Sequence, residues 1–105
     1  MRRLRAAGAA LVSAMLAACS SIAWRPATFS VEACVSQAKL AVRDADFTEH
    51  LSIVAYAAGT IVSGRHGSYW ARIDCSAAQQ AVQVAVAGPD PELNERYRNF
   101  ITRKF

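Results

Sequence analysis

The stretch SYWARIDC at residues 68–75 most limits what this chain can fold into, because apolar and polar side chains alternate along it. Such alternation predicts a β-strand with one buried and one solvent-facing side. The apolar side consists of Tyr69, Ala71, Ile73 and Cys75, and the polar side of Ser68, Trp70, Arg72 and Asp74. We therefore expect a sheet whose Cys75 side is covered by another element.

The cover is predicted at residues 31–45, VEACVSQAKLAVRDA. Ser30 precedes this segment as a helix N-cap, and Glu32 lies in the first turn, where a negative charge is favoured. Its apolar residues share one helical stripe, made of Val31, Cys34, Val35, Ala38, Ala41 and Val42. Cys34 and Cys75 are therefore expected to point into the same helix–sheet interface.

Two further strands are predicted around residues 68–75. LSIVAYAAGTIVS at 51–63 is apolar on both faces, which leaves its register open, and Gly59 is expected to mark a bulge. GRHG at 64–67 predicts a hairpin loop, and QAVQVAVAG at 80–88 predicts the third strand.

A second helix is predicted after that strand, with Asp90 as N-cap and Pro91 at the first helical position. Its apolar stripe comprises Leu93, Tyr97, Phe100, Ile101 and Phe105. The predicted fold class is α+β, a two-layer sandwich of order α-β-β-β-α with a three-stranded antiparallel sheet and both helices on one face.

Residues 1–18 have the composition of a targeting segment, with the basic start MRRLR followed by AAGAALVSAMLAA. Thirteen residues at 1.5 Å each span only about two-thirds of a ~30 Å hydrocarbon core, so a membrane span is not expected. A buried N-terminal helix is the alternative. The predicted organisation is a signal peptide at 1–18, a tether at 19–29 and one small domain at 30–105.

Leu16-Ala17-Ala18-Cys19 resembles the lipobox of bacterial lipoprotein precursors. The resemblance implies that the Cys19 sulfur receives a diacylglycerol group through a thioether. It also implies that the precursor is cut between Ala18 and Cys19, and that the new amino group of Cys19 is acylated. Several acyl chains hold a protein on a bilayer where one does not. Ser20, in place of the Asp that the family uses for inner-membrane retention, implies an outer-membrane location facing the periplasm. An ordinary secretory cut, for instance after Ala23, is the alternative.

Cys34 and Cys75 remain as a pair in a chain expected to reach an oxidising compartment, and we predict a disulfide between them. Two free thiols or a metal pair are the alternatives. The spacing of these cysteines is unlike that of zinc ligands, and neither His50 nor His66 completes a zinc motif, so no metal site is expected.

The charge of the chain gives no indication of a nucleic-acid partner. Three of the 12 basic residues precede the apolar run, which leaves nine basic against eight acidic side chains from Cys19 onward. A nucleic-acid-binding surface would need Lys and Arg concentrated on one face.

A search for catalytic residues finds none. His50 and His66 have no neighbouring nucleophile, and the carboxylates Asp44, Asp46 and Glu49 are expected in a solvated loop. SGRHGS at 63–68 lacks a P-loop lysine. We therefore expect no enzyme and no cofactor.

The polar side of residues 68–75 is the candidate partner surface. Trp70 and Arg72 combine an aromatic ring with a guanidinium, the composition enriched at interface hot spots, and Arg65 and His66 are expected to extend the surface. The alternative is that Trp70 packs on neighbouring side chains of that face or against the tether.

Two function classes follow from these features. The first is a lipid-anchored structural or interaction protein of the cell envelope, with membrane lipid and an envelope protein as partners. The second is a periplasmic inhibitor or ligand-binding module, because SGRHGSYW at 63–70 resembles a loop of lipoprotein inhibitors of lysozyme. The spacing of Cys34, GSYWARIDC and VAG also resembles small uncharacterised exported bacterial proteins, which implies a fold but no activity.

Overall fold

The computed structural model describes the backbone of residues 20–26 and the whole of residues 30–105. Residues 1–18, Cys19 and residues 27–29 lie outside the described residues, and so do the predicted leader and lipidation site. The described elements, in chain order, are β1 (Ser20–Pro26), α1 (Val31–Asp44), β2 (Glu49–Tyr56), β3 (Gly59–His66), β4 (Tyr69–Ser76), β5 (Ala81–Ala87) and α2 (Pro91–Thr102).

The strands form one antiparallel sheet in the order β1-β5-β4-β3-β2. The predicted α+β class is confirmed, with α1 packed on β3 and β4 and α2 packed on β5 and β1. Four strands lie between the two helices, so the prediction of three strands is wrong. The consecutive pairing of β2 through β5 comes from three hairpins.

The missed strand arises from the apolar stretch 51–63, which turns back on itself at Ala57 and Ala58. Two alanines carry no turn preference, so the stretch resembled one long strand. Gly59 begins β3 opposite Tyr56, where a Cβ atom would collide with the carbonyl oxygen of Cys75. The expected bulge is therefore not at Gly59; the register of β2 shifts between Glu49 and Ser52 instead, around the positive φ of His50.

The hairpin between β3 and β4 is also tighter than predicted. Its turn consists of Gly67 and Ser68, and Gly67 has a φ of 58°, which a glycine adopts without steric cost. Arg65 and His66, which were expected in a GRHG loop, instead complete strand β3.

Strand β1 occupies most of the range assigned to the tether. It pairs with β5 along its whole length, from Ser20 opposite Ala87 to Pro26 opposite Ala81. The sheet therefore begins one residue after Cys19.

The core lies between the helices and one face of the sheet. The alternation predicted along β4 is confirmed, since Ala71, Ile73 and Cys75 are buried. Both predicted caps are also present, with the side chains of Ser30 and Asp90 accepting from the backbone N–H groups of Ala33 and Glu92. Among the residues that the structure describes, neither helix is long and apolar enough to cross a membrane.

Candidate interaction surfaces

The predicted disulfide is present. Cys34 of α1 and Cys75 of β4 are bonded, with their Cα atoms 6.0 Å apart, and both residues are buried. The bond fixes α1 against the central strand of the sheet. It therefore determines which face of the sheet is covered and which is left open.

The side chains opposite the helices form the open face. Trp70 is 46% exposed there and Arg72 is exposed beside it, while Asp74 is half-buried. No helix or strand among the described residues lies over these side chains. The structure thus brings Trp70 and Arg72 together on an accessible surface.

Arg65 joins this surface as the direct cross-strand partner of Trp70 in the β3–β4 hairpin. Its guanidinium carbon lies 5.7 Å from the centroid of the indole ring, within the range of a cation–π contact. The Arg65 Nε donates a hydrogen bond of 2.5 Å to the carbonyl oxygen of Gly67 and lies 4.0 Å from a carboxylate oxygen of Glu49. Arg65 is therefore held by three contacts: the Trp70 ring on β4, the Glu49 carboxylate on β2 and the Gly67 carbonyl oxygen in the turn.

His50 is a member of this cluster that the sequence did not predict. Its ring centroid lies 6.1 Å from that of Trp70. The register shift in β2 and the positive φ of His50 bring it there, and neither feature is visible in the sequence. Arg65, Trp70 and His50 are hereafter called the indole cluster.

His66 lies on the other side of the sheet from Trp70. Its ring centroid is 6.0 Å from that of the buried Phe47 and 6.3 Å from that of Tyr97 on α2. Because residues alternate along β3, the move of His66 from a loop into a strand reverses its direction relative to Arg65. The structure therefore does not place His66 with the other predicted surface residues.

Tyr56 and Asp74 form a polar contact further along the open face. The Tyr56 hydroxyl donates a hydrogen bond of 2.6 Å to a carboxylate oxygen of Asp74. This hydrogen bond raises the pKa of Tyr56 above its ordinary value, because ionisation would remove the proton that Asp74 accepts.

Strand β2 provides a second surface, which the sequence analysis missed. Leu51, Ile53 and Val54 are 59%, 52% and 53% exposed, although they belong to the edge strand of the sheet. Ile53 lies on the helix side, opposite the buried Val62, and Val54 lies on the open side, opposite Ile61. These three residues are hereafter called the β2 edge.

A cleft of about 420 Å³ lies between α1 and two residues of the β2 edge, Leu51 and Ile53. Its floor is apolar, with Val42 and Val62, and Lys39 and Arg43 of α1 stand at its rim. Leu51 and Ile53 are exposed because α1 packs mainly on β3 and β4, and Val54 is exposed because it lies on the open face. A long apolar run in the sequence was the only indication of this surface.

Within the described residues, no group of three His, Cys, Asp or Glu side chains is placed to hold a metal ion. The described side chains include an aromatic–guanidinium cluster at one end of the sheet and exposed apolar residues along the β2 edge.

Comparison of the chain with protein-family models, with curated proteins and with solved structures finds no match.

Proposed function

We propose that this protein is a lipid-anchored interaction module of the bacterial cell envelope, held through Cys19 at the outer membrane and facing the periplasm. The anchor rests on the LAAC sequence after a basic and apolar leader. The proposed role is to bind another envelope protein, without catalysis.

The observation that carries the interaction role is the β2 edge. Edge strands present unpaired backbone N–H and C=O groups, and monomeric proteins protect such strands with charged residues, proline, a β-bulge or a covering element. The register of β2 shifts between Glu49 and Ser52, but residues 52–56 pair regularly with β3, contain no charged residue and no proline, and are exposed on both faces of the sheet. Such a strand has the properties of a docking site.

The binding mode that fits this geometry is strand addition. A partner strand pairing with β2 would satisfy the edge backbone groups and cover Ile53 on one face and Val54 on the other. Leu51 and the adjoining cleft would accept a side chain of the partner. The partner class is therefore an envelope protein that offers an extended segment.

The interaction is tested by placing a photo-crosslinking amino acid at position 54 of the full-length protein in living bacteria. The matched control carries the same amino acid at Arg96, which is exposed on α2, away from β2. We expect a discrete crosslinked envelope protein from position 54 and none from position 96. Equal or absent crosslinking at the two positions would contradict the proposed interaction role.

The anchor is tested separately by metabolic labelling with a fatty-acid probe. The wild-type protein should carry the label and sediment with membranes, and Cys19→Ser should lose both properties. A wild-type protein that stays soluble and unlabelled in a bacterium that processes lipoproteins would contradict lipid anchoring.

The second candidate function is a periplasmic inhibitor, which rests on SGRHGSYW forming a loop. We rank it below the interaction role, because Ser63 and Gly64 belong to strand β3 and the turn contains only Gly67 and Ser68. An assay of lysozyme activity against the purified protein tests this role directly.

A further inference from the structure

We infer that the indole cluster rests on the headgroup region of the membrane to which Cys19 is attached, so that the domain stands with the β3–β4 hairpin end of its sheet on the bilayer. This inference rests on the proposed lipidation of Cys19. It assigns to Trp70 and Arg65 a lipid surface as partner.

The register of the sheet places Trp70 close to the residue that follows Cys19. Ser20, the residue directly after Cys19, pairs with Ala87 of β5; Ala87 also pairs with Trp70 of β4, and Trp70 pairs with Arg65 of β3. These residues form one row across the sheet. Adjacent strands lie about 4.8 Å apart, so the backbone of Trp70 lies about 10 Å from that of Ser20.

The sheet follows the proposed anchor directly in sequence. Because β1 begins at Ser20, no residue separates the proposed anchor from the sheet. Strand β1 then runs away from the anchor for seven residues, or about 20 Å at the usual rise per residue. The row that contains Trp70 is therefore at the membrane end of the domain, and the Ala57–Ala58 turn is at the opposite end.

The side chains in this row are suited to a bilayer interface. Tryptophan combines an apolar ring with one N–H donor and is enriched at the headgroup level of membranes. Trp70 is exposed there, and Arg65 beside it carries a guanidinium that can donate to lipid phosphate. His50 enlarges the ring surface next to them.

The β3–β4 hairpin end of the domain carries both acidic and basic side chains, so its net attraction to anionic lipid is small. Arg65 lies 4.0 Å from Glu49, and Asp90 caps the nearby start of α2. Attraction to anionic lipid alone would be weak for such a surface. The lipid anchor supplies the attachment, and the indole cluster sets the orientation of the domain.

The chain contains two tryptophans, which provide a matched pair of depth probes. Trp24 lies four residues beyond Ser20 on β1, so its backbone is about 13 Å further from the anchor than the Trp70 row. The variant Trp24→Phe reports on Trp70 alone, and Trp70→Phe reports on Trp24 alone.

The protein is expressed as the full chain, and its mature, lipidated form is reconstituted in vesicles of phosphatidylethanolamine and phosphatidylglycerol that contain phosphatidylcholine brominated at shallow acyl positions. We expect the emission of Trp70 to fall by about half and that of Trp24 by less than about a tenth, because the backbone of Trp24 lies further from the anchor than that of Trp70. Both variants are first checked for the intact disulfide and for fatty-acid labelling.

The outcomes separate this inference from the anchor on which it rests. Labelled protein with an unquenched Trp70, or with Trp70 and Trp24 quenched equally, overturns the orientation and leaves the anchor intact. Loss of quenching because Cys19 carries no label overturns the anchor and the orientation together. An unquenched Trp70 whose position crosslinks to an envelope protein assigns the indole cluster to a protein partner and overturns the inference.

Discussion

Cys34 and Cys75 join α1 to β4, the central strand of the sheet, across 41 positions of sequence. Closing a loop of that length stabilises a fold by about 4 kcal/mol in the chain-entropy model. Many domains of this size have a total free energy of unfolding of only 5–15 kcal/mol, roughly. We therefore expect the disulfide to supply a large part of the free energy of unfolding.

The first prediction follows for the variant in which both cysteines are alanine. Its free energy of unfolding should fall by about 2–5 kcal/mol, as is typical when a small disulfide-bonded domain loses a native disulfide. Urea denaturation of the oxidised wild type and the variant measures the difference. Peptide mapping of the unreduced wild type should find the two cysteine peptides linked; free alkylation of both thiols in the folded protein would contradict the bond.

The second prediction concerns Phe47, which is buried between α1, β3 and α2 and meets Tyr97 edge to face with ring centroids 5.0 Å apart. Phe47→Ala should lower the free energy of unfolding by about 3–5 kcal/mol through the cavity it leaves. Phe100→Ala is the control, since Phe100 is exposed on α2 and its loss should cost under about 1 kcal/mol. Equal losses in the two variants would contradict the assigned core.

The third prediction uses the raised pKa of Tyr56. The hydrogen bond to Asp74 favours the neutral phenol, so its contribution to stability is fully present below the unfolded pKa of about 10 and is lost as the pH rises through the folded value. Tyrosinate absorbance, compared between wild type and Tyr56→Phe, isolates this titration. Asp74→Asn should shift it to lower pH; an unchanged titration would show that the hydrogen bond does not form in solution.

The sequence predicted most accurately the elements whose ends are marked by local chemistry. Ser30 and Asp90 cap α1 and α2 because a side-chain oxygen before an apolar stripe satisfies free N–H groups at a helix start. The alternation along β4 predicted both the buried side of the strand and the direction of Cys75. These features depend on residues close together in sequence.

Features that depend on tertiary context were missed. The Ala57–Ala58 turn has no turn residues, and it forms because β2 and β3 pair with each other. The β3–β4 loop has two residues instead of the expected four. His66 therefore belongs to β3 and lies on the helix side of the sheet, away from Trp70. The exposure of Leu51 and Ile53 depends on how far α1 reaches across the sheet, which no local pattern encodes.

The fourth prediction concerns Asn94, a polar residue of α2 that is buried. Its Nδ2 donates a hydrogen bond of 3.0 Å to the carbonyl oxygen of Gly88, which ties the start of α2 to the end of β5. Asn94→Ala should lower the free energy of unfolding by about 1–3 kcal/mol, because it leaves that half-buried acceptor without its donor. Asn94→Asp should lower the free energy of unfolding by more than Asn94→Ala at neutral pH. At acidic pH it should lower the free energy by less, because a protonated carboxyl can again donate to the Gly88 carbonyl oxygen. Pulse proteolysis at the two pH values measures both; a pH-independent loss for Asn94→Asp would contradict this role.

The fifth prediction compares two valines of neighbouring strands that differ in exposure. Val54 on β2 is 53% exposed, and Val62 on β3 is 1% exposed. Val54→Lys should change the free energy of unfolding by no more than about 0.5 kcal/mol, since its ammonium group stays in water. Val62→Lys should prevent folding, because it places a cation in the apolar core without a partner.

The same Val54→Lys variant tests binding. A photo-crosslinker at Leu51 should capture the partner when Val54 is present and fail to capture it in Val54→Lys, because a charge on an edge strand opposes addition of another strand. A Val54→Lys protein that is folded and still captures the same partner would show that binding does not use strand addition at β2.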